Sequence, residues 1–235
     1  MNDEERGILA EQLAYYRARA SEYDEWFLRQ GRYDHGDAHR RLWFGEVATV
    51  EKALAEAGPA GDVLELACGT GIWTQRLVAK ATRVTAVDAS PEVIAINESR
   101  LKDPKVEYVR ADIFRWSPPG TYDFVFFGFW LSHVPRERFE PFWSLVRRAL
   151  RPSGRAFFVD SLAAPAGTAP GQQIECDGIV ERRLNDGRVF RIVKVFYETR
   201  QLAARLRELG WTAQVRGTPN FFIYGSAAPF EVPPN

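Results

Sequence analysis

Between Val63 and Thr74 the chain passes from an apolar run through Glu65 and the pair Gly69 and Gly71 into the expected start of a helix. Val63 to Leu66 read as a buried parallel strand. The two glycines let the backbone turn tightly and approach a ligand, and the helix that follows offers free amides at its N-terminus. Strand, glycine turn and helix in that order form the first unit of an α/β sheet with a nucleotide-type cofactor at its edge. The acid narrows the choice of cofactor. A dinucleotide site follows G-x-G-x-x-G and lays a pyrophosphate on the helix amides, whereas Thr74 holds the sixth position here. Glu65, two residues ahead of the loop, repels a pyrophosphate and attracts a ligand carrying positive charge.

The same unit recurs downstream. Arg83 to Val87 read as a second strand ending at Asp88, 17 residues after Gly71 and just before Ala89, Ser90 and Pro91. An acid at that distance accepts from both ribose hydroxyls. The plainer alternative is that Asp88 or Ser90 caps the next helix with Pro91 in its first turn, and with Ser90 as the cap both hold. Val106 to Val109 form a third strand leading to Asp112 and Ile113, where Asp112 taken alone also suits a turn before Phe114. Phe124 to Phe127 form a fourth, opening into Gly128, Phe129, Trp130 and His133, and a helix is expected from Arg136 to Leu150, ended by Pro152 to Gly154. Arg155 to Val159 form strand five, ending at Asp160, followed by a loop from Ser161 to Gly171. Ile179 to Leu184 and Arg188 to Phe196 flank Asn185, Asp186 and Gly187, a hairpin signal. A helix from Thr199 to Leu209 and strands Thr212 to Val215 and Phe221 to Gly225 complete the pattern, with a frayed tail from Pro229.

With acids at the ends of three successive strands and glycines after the first, residues 61 to 227 resemble the class I, Rossmann-like S-adenosylmethionine-dependent methyltransferases of the small-molecule type. Ala67 stands where their acid-x-G-x-G-x-G motif has its first glycine. The resemblance implies an α/β fold with a seven-stranded, mostly parallel sheet, helices on both faces, an N-terminal helical lid and an inserted β-hairpin. It implies S-adenosyl-L-methionine as cofactor, leaving as S-adenosyl-L-homocysteine. It also implies a cofactor site of Glu65, Ala67, Gly69, Gly71, Trp73, Asp88, Ala89, Asp112, Ile113, Phe127, Gly128 and Phe129. In it Glu65 serves the methionine end, Asp88 the ribose and Asp112 the adenine.

Ahead of this core, Leu9, Leu13, Tyr16, Ala20, Tyr23 and Phe27 recur at alternating intervals of four and three, the pattern of a helix with one buried stripe. A second helix is expected from Asp37 to Ala57, with Trp43, Val47, Val50 and Leu54 on one face and Gly58-Pro59 as its stop. The expected organisation is a lid over residues 1–58 and a core over 59–235 with the hairpin inserted at about 174–197, one structural domain in all. Tyr16 and Tyr23 are either core aromatics or lid tyrosines facing the acceptor. His133, with Tyr16 and Tyr23, forms the candidate catalytic set, since an imidazole of near-neutral pKa draws or orients a proton, and the plainer role for His133 is to hold its loop. Tyr23, Trp26, Phe129, Trp130, His133 and Asp160 are the candidate acceptor contacts, joined by Arg191 and Lys194.

The abundance of Trp, Phe and Tyr, 13% of the chain, points to a small aromatic or heteroaromatic acceptor, methylated on carbon, nitrogen or oxygen, an indole-like ring among them, in a specialised pathway. Lys and Arg balance Asp and Glu at 31 each and no basic run appears, which argues against a nucleic-acid partner. Cys68 and Cys176 are the only cysteines, too few for a disulfide framework or a zinc site, so no metal is expected. With no signal-peptide pattern and no membrane-length apolar run, a soluble cytoplasmic protein without a membrane partner is expected. Two other functions stand beside methyl transfer: a sensor that binds S-adenosylmethionine without reacting, and a nicotinamide oxidoreductase, which Thr74 and Glu65 disfavour.

Overall fold

The structure, a computed structural model, describes residues 3–163 and 178–230. Seven strands form one sheet in the order β3-β2-β1-β4-β5-β9-β8. These are β1 (Gly61–Leu66), β2 (Ala81–Asp88), β3 (Val106–Arg110), β4 (Tyr122–Gly128), β5 (Leu150–Ser161), β8 (Trp211–Gly217) and β9 (Phe222–Pro229). The pairs from β3 to β5 are parallel, and β9 runs antiparallel to both β5 and β8. The order doubles back at β1, so the C-terminal ends of β1, β2 and β4 open together onto one crevice, the place where such sheets bind ligands.

Alternation along β4 shows how the strand sequence builds two cores. Val125 and Phe127 face one side, where Phe127 meets Phe142 and Trp143 of α6 (Phe139–Ala149). Phe124 and Phe126 face the other, which is covered by Trp43, Val47, Val50 and Leu54 of α3 (Asp37–Ala57). All four strand residues are buried, each contributing about 1.5–3 kcal/mol relative to exposure. Three further helices flank the sheet: α4 (Thr74–Val78), α5 (Pro91–Leu101) and α7 (Thr199–Glu208).

Five expectations change. The N-terminal stretch is not one helix: α1 (Asp3–Ala18) gives way to a short 3-10 turn and then to α2 (Tyr23–Leu28). The buried stripe of α1 is Ile8, Gln12 and Tyr15, one register away from the expected one, and Leu13 is exposed. The helix expected from Arg136 begins at Phe139 after another 3-10 turn and ends at Ala149, and Pro152 to Gly154, expected to end it, lie within β5. Pro229 ends β9 instead of starting a frayed tail, and 231–235, like most of the loop expected from Ser161 to Gly171, lie outside the described residues.

The hairpin, β6 (Ile179–Arg183) and β7 (Val189–Val193), forms a sheet of its own. Its turn contains Gly187 at φ +90°, a conformation that favours glycine. Val180, Leu184 and Ile192 pack on Tyr15 of α1, so helix and hairpin form one cap. Gln12 ties the cap to the core, its amide nitrogen donating to the His133 carbonyl (3.2 Å) and its oxygen accepting from the Val193 amide (2.9 Å). The Val195 amide adds a bond to the Ser132 carbonyl at 2.8 Å. Among the described residues no helix is long and apolar enough to cross a membrane.

Candidate active site

A groove of about 330 Å³ lies over the crevice, floored by Gly69, Asp88, Ala89, Asp112 and Ile113 and roofed by Leu9, Leu13 and Tyr16. The apolar positions read as a core stripe therefore face a cavity. Gly69 sits at φ +53° with open space where a Cβ would be, so the groove reaches the bare backbone. Gly71, at φ +90°, serves otherwise: a Cβ there meets the Asn97 side chain, which bonds the Thr74 hydroxyl at 2.9 Å and packs α5 on the turn. Ala67 takes a left-handed φ of +57° despite its Cβ, a strain of about 1–2 kcal/mol of the kind that active sites retain. Asp88 accepts from the Gly69 amide (3.0 Å) and the Ser90 amide (2.9 Å), while the Ser90 hydroxyl caps α5 ahead of Pro91. Asp112 is exposed and accepts from the Phe114 amide at 3.0 Å, so it both makes the turn and borders the groove.

The groove adjoins a narrow niche lined by Glu65, Cys68, Thr70 and Trp73. Burial, with the Asp88 charge adding to it, pushes the Glu65 carboxyl up to about 8. Its Oε2 and the Trp73 indole N–H are buried with no hydrogen-bond partner among the described residues. Orphaned polar groups of this kind are costly unless a ligand meets them. S-adenosylmethionine fits these residues: its ammonium would meet Glu65, its ribose hydroxyls Asp88, and its adenine Asp112 and Ile113.

A third chamber, of about 70 Å³, lies under the cap. Aromatic walls come from Trp26, Tyr33, Trp43, Phe196 and Phe221, and three cations face it: Arg19, Arg182 and Lys194. Each is only 8% exposed. Groove, niche and chamber share two lining residues, Tyr23 and Phe129, so these mark where the three spaces meet. Phe129 is held there at φ +55°, its amide donating to the Val159 carbonyl at 2.7 Å. Tyr16 and His133 stand between groove and chamber, lining both. The Tyr16 hydroxyl lies 2.7 Å from His133 Nε2, and His133 Nδ1 lies 2.7 Å from the Val193 carbonyl. The carbonyl only accepts, so Nδ1 carries the proton and Tyr16 donates to Nε2. Burial, reinforced by the Lys194 charge, holds the imidazole pKa well below its usual value, and burial raises the Tyr16 phenol far above its own.

Several expected site residues lie elsewhere. Phe127 is in the α6-side core and lines none of these cavities, because strand alternation turns it away from the crevice that Gly128 and Phe129 border. Trp130 borders the groove beside Phe114 and does not line the chamber. Asp160 is buried behind the chamber, bonded to the amides of Ser132 (2.8 Å) and Ser161 (2.7 Å) and 3.6 Å from Lys194 Nζ. Arg191 is on the outside, paired with Glu11. Arg19 and Arg182 escaped the sequence reading. Arg182 carried a signal, since it falls between the buried Val180 and Leu184 at strand period two and so occupies an inward position. Arg19 had none, because its direction depends on the break after Ala18.

Residues 63–154 match the family model described as a methyltransferase domain. A solved complex of DhpI with S-adenosylhomocysteine superposes with a TM-score of 0.80 at 40% identity, covering 97% of this chain and 99% of that one. A complex of DhpI with S-adenosylmethionine and a component designated HEP gives 0.80 at 41% identity, covering 95% and 98%. The 1,6-didemethyltoxoflavin-N1-methyltransferase of Burkholderia thailandensis shares the fold, with a TM-score of 0.62 at 18% identity over 96% of this chain and 90% of that one. Trans-aconitate 2-methyltransferase of Escherichia coli is 37% identical over 94 residues, 39% of this chain, and the chain spans 36% of the length of that curated relative. The chain belongs to the class I S-adenosylmethionine-dependent methyltransferases.

Proposed function

We propose that this chain methylates a small acid on an ionised oxygen, with residues 1–58 and the hairpin acting as the lid that seats the acid and residues 59–235 as the core. The observation that carries this reading is the set of three buried cations, Arg19, Arg182 and Lys194, around a chamber that meets the cofactor groove at Tyr23 and Phe129. Buried charges are costly unless paired, and an oxyanion is their natural partner. The name of the trans-aconitate methyltransferase gives a polycarboxylate as its acceptor, which agrees with the reading although that match covers only part of both chains. The aromatic walls favour an acid with a compact apolar body, and this is what remains of the aromatic acceptor expected from composition.

Bound S-adenosylmethionine supplies an electrophilic methyl: the acceptor oxygen's lone pair forms the C–O bond as the S–C bond breaks and its electrons stay on sulfur. The cations hold the acid at the junction, and that positioning supplies much of the rate. An ionised acid has no proton to lose. His133 therefore accepts the Tyr16 O–H hydrogen bond and fixes that phenol beside the junction, rather than serving as a base. Tyr16, Tyr33 and Phe196 line the chamber, and with an acid seated they would limit the access of water to it.

Incubation with methyl-labelled S-adenosylmethionine and a panel of small carboxylic and phosphonic acids, indoles and phenols tests the reading. Label is expected in esters of the acids. Label confined to the aromatic compounds contradicts the acid acceptor, and binding without label in any compound makes the chain a sensor.

A further inference from the structure

Charge balance around the acceptor chamber goes one step beyond an acid acceptor and rests on that reading. Of the three cations, Lys194 is answered from within the protein: its Nζ lies 3.6 Å from Asp160 and donates to the Ser132 hydroxyl at 2.8 Å. The two arginines are not. Among the described residues neither Arg19 nor Arg182 pairs with a carboxylate. Arg19 makes a long bond to the Tyr33 hydroxyl (3.4 Å), lies over the rings of Tyr15 and Tyr23, and leaves its buried Nε without a partner. Arg182 donates to the Glu181 carbonyl at 3.2 Å.

Other charges nearby do not alter the count. His133 is held neutral, Arg29 is buried behind the chamber over the Trp43 ring, and Arg32 is paired with Glu22. Among the described residues, the chamber thus presents two guanidinium charges that no carboxylate cancels.

We infer that the chamber selects a doubly ionised acceptor and discharges its monoester, so that transfer stops after one methyl. A dianion cancels both arginines. Once one of its oxygens carries the methyl, one negative charge is gone, the S–C electron pair has gone to sulfur, and no proton has moved. The monoester leaves one buried guanidinium unbalanced, which favours its release over a second round.

Calorimetry on the protein loaded with S-adenosylhomocysteine, at about pH 8, reads this without turnover. Methylphosphonate is compared with its monomethyl ester, and succinate with monomethyl succinate. Each parent is expected to bind about ten- to a hundredfold more tightly than its ester. Arg182→Met should reduce that preference to about threefold or less by weakening the parent. Labelled transfer with excess donor should end at one methyl per acceptor. Parent and ester binding equally to the unaltered protein, or accumulation of the diester, overturns the inference while leaving the acid acceptor in place. Failure of every acid to bind overturns both.

Discussion

Glu65 is the carboxyl on which the proposed cofactor site turns. At the end of β1 it is 1% exposed, and with its pKa pushed up to about 8 it is protonated at neutral pH while the niche lacks a cation. An ammonium beside it favours the ionised form, so binding S-adenosylhomocysteine at about pH 7 releases a proton. Affinity should therefore rise with pH by up to about tenfold per unit and level off above about pH 8. Calorimetry in two buffers of different ionisation enthalpy counts that proton, which should be lost in Glu65→Gln. Identical heats in both buffers for the unaltered protein would mean that Glu65 is not the ammonium partner. The residues of this end were legible because acids and glycines at strand ends carry position in the sequence. Phe127 misled because four successive apolar residues, Phe124 to Phe127, give no sign of which face each takes.

Among the elements, the cap was the least legible. By contrast α3, which packs on the sheet, was legible to its true limits, because Trp43, Val47, Val50 and Leu54 bury one clean face and Gly58 stops the helix at φ +71°. For α1 the periodicity was real but the partner was not, since Leu9, Leu13 and Tyr16 line the groove while Ile8, Gln12 and Tyr15 meet the hairpin and core. A buried glutamine on that inner face marks a joint. Gln12→Ala leaves the buried Val193 amide without an acceptor and removes the bond to the His133 carbonyl, a loss of about 1–3 kcal/mol. The expected signs are a lower Tm and faster amide exchange in β7 than in β1 or β4. Exchange in β7 that matches the unaltered protein would show that the hairpin is held by other contacts.

At the level of the whole molecule, net charge concealed the basic chamber. Equal numbers of acids and bases average to zero, yet folding brings Arg19 from the end of α1 and Arg182 and Lys194 from the hairpin to one chamber with Asp160 as the lone answering carboxylate among the described residues. Tertiary structure alone assembles that group, whereas Glu65, Asp88 and Asp112, the acids proposed for the cofactor, lie at or just past the ends of successive strands and can be read in order. The most direct test is a crystal structure with S-adenosylhomocysteine and a small dianionic acid such as methylphosphonate. The acid's oxygens are expected within about 3.2 Å of Arg19 and Arg182 nitrogens, with one oxygen turned to the junction at Tyr23 and Phe129. An acid bound away from both arginines, or a chamber that takes an aromatic compound and excludes the acid, would contradict that expectation.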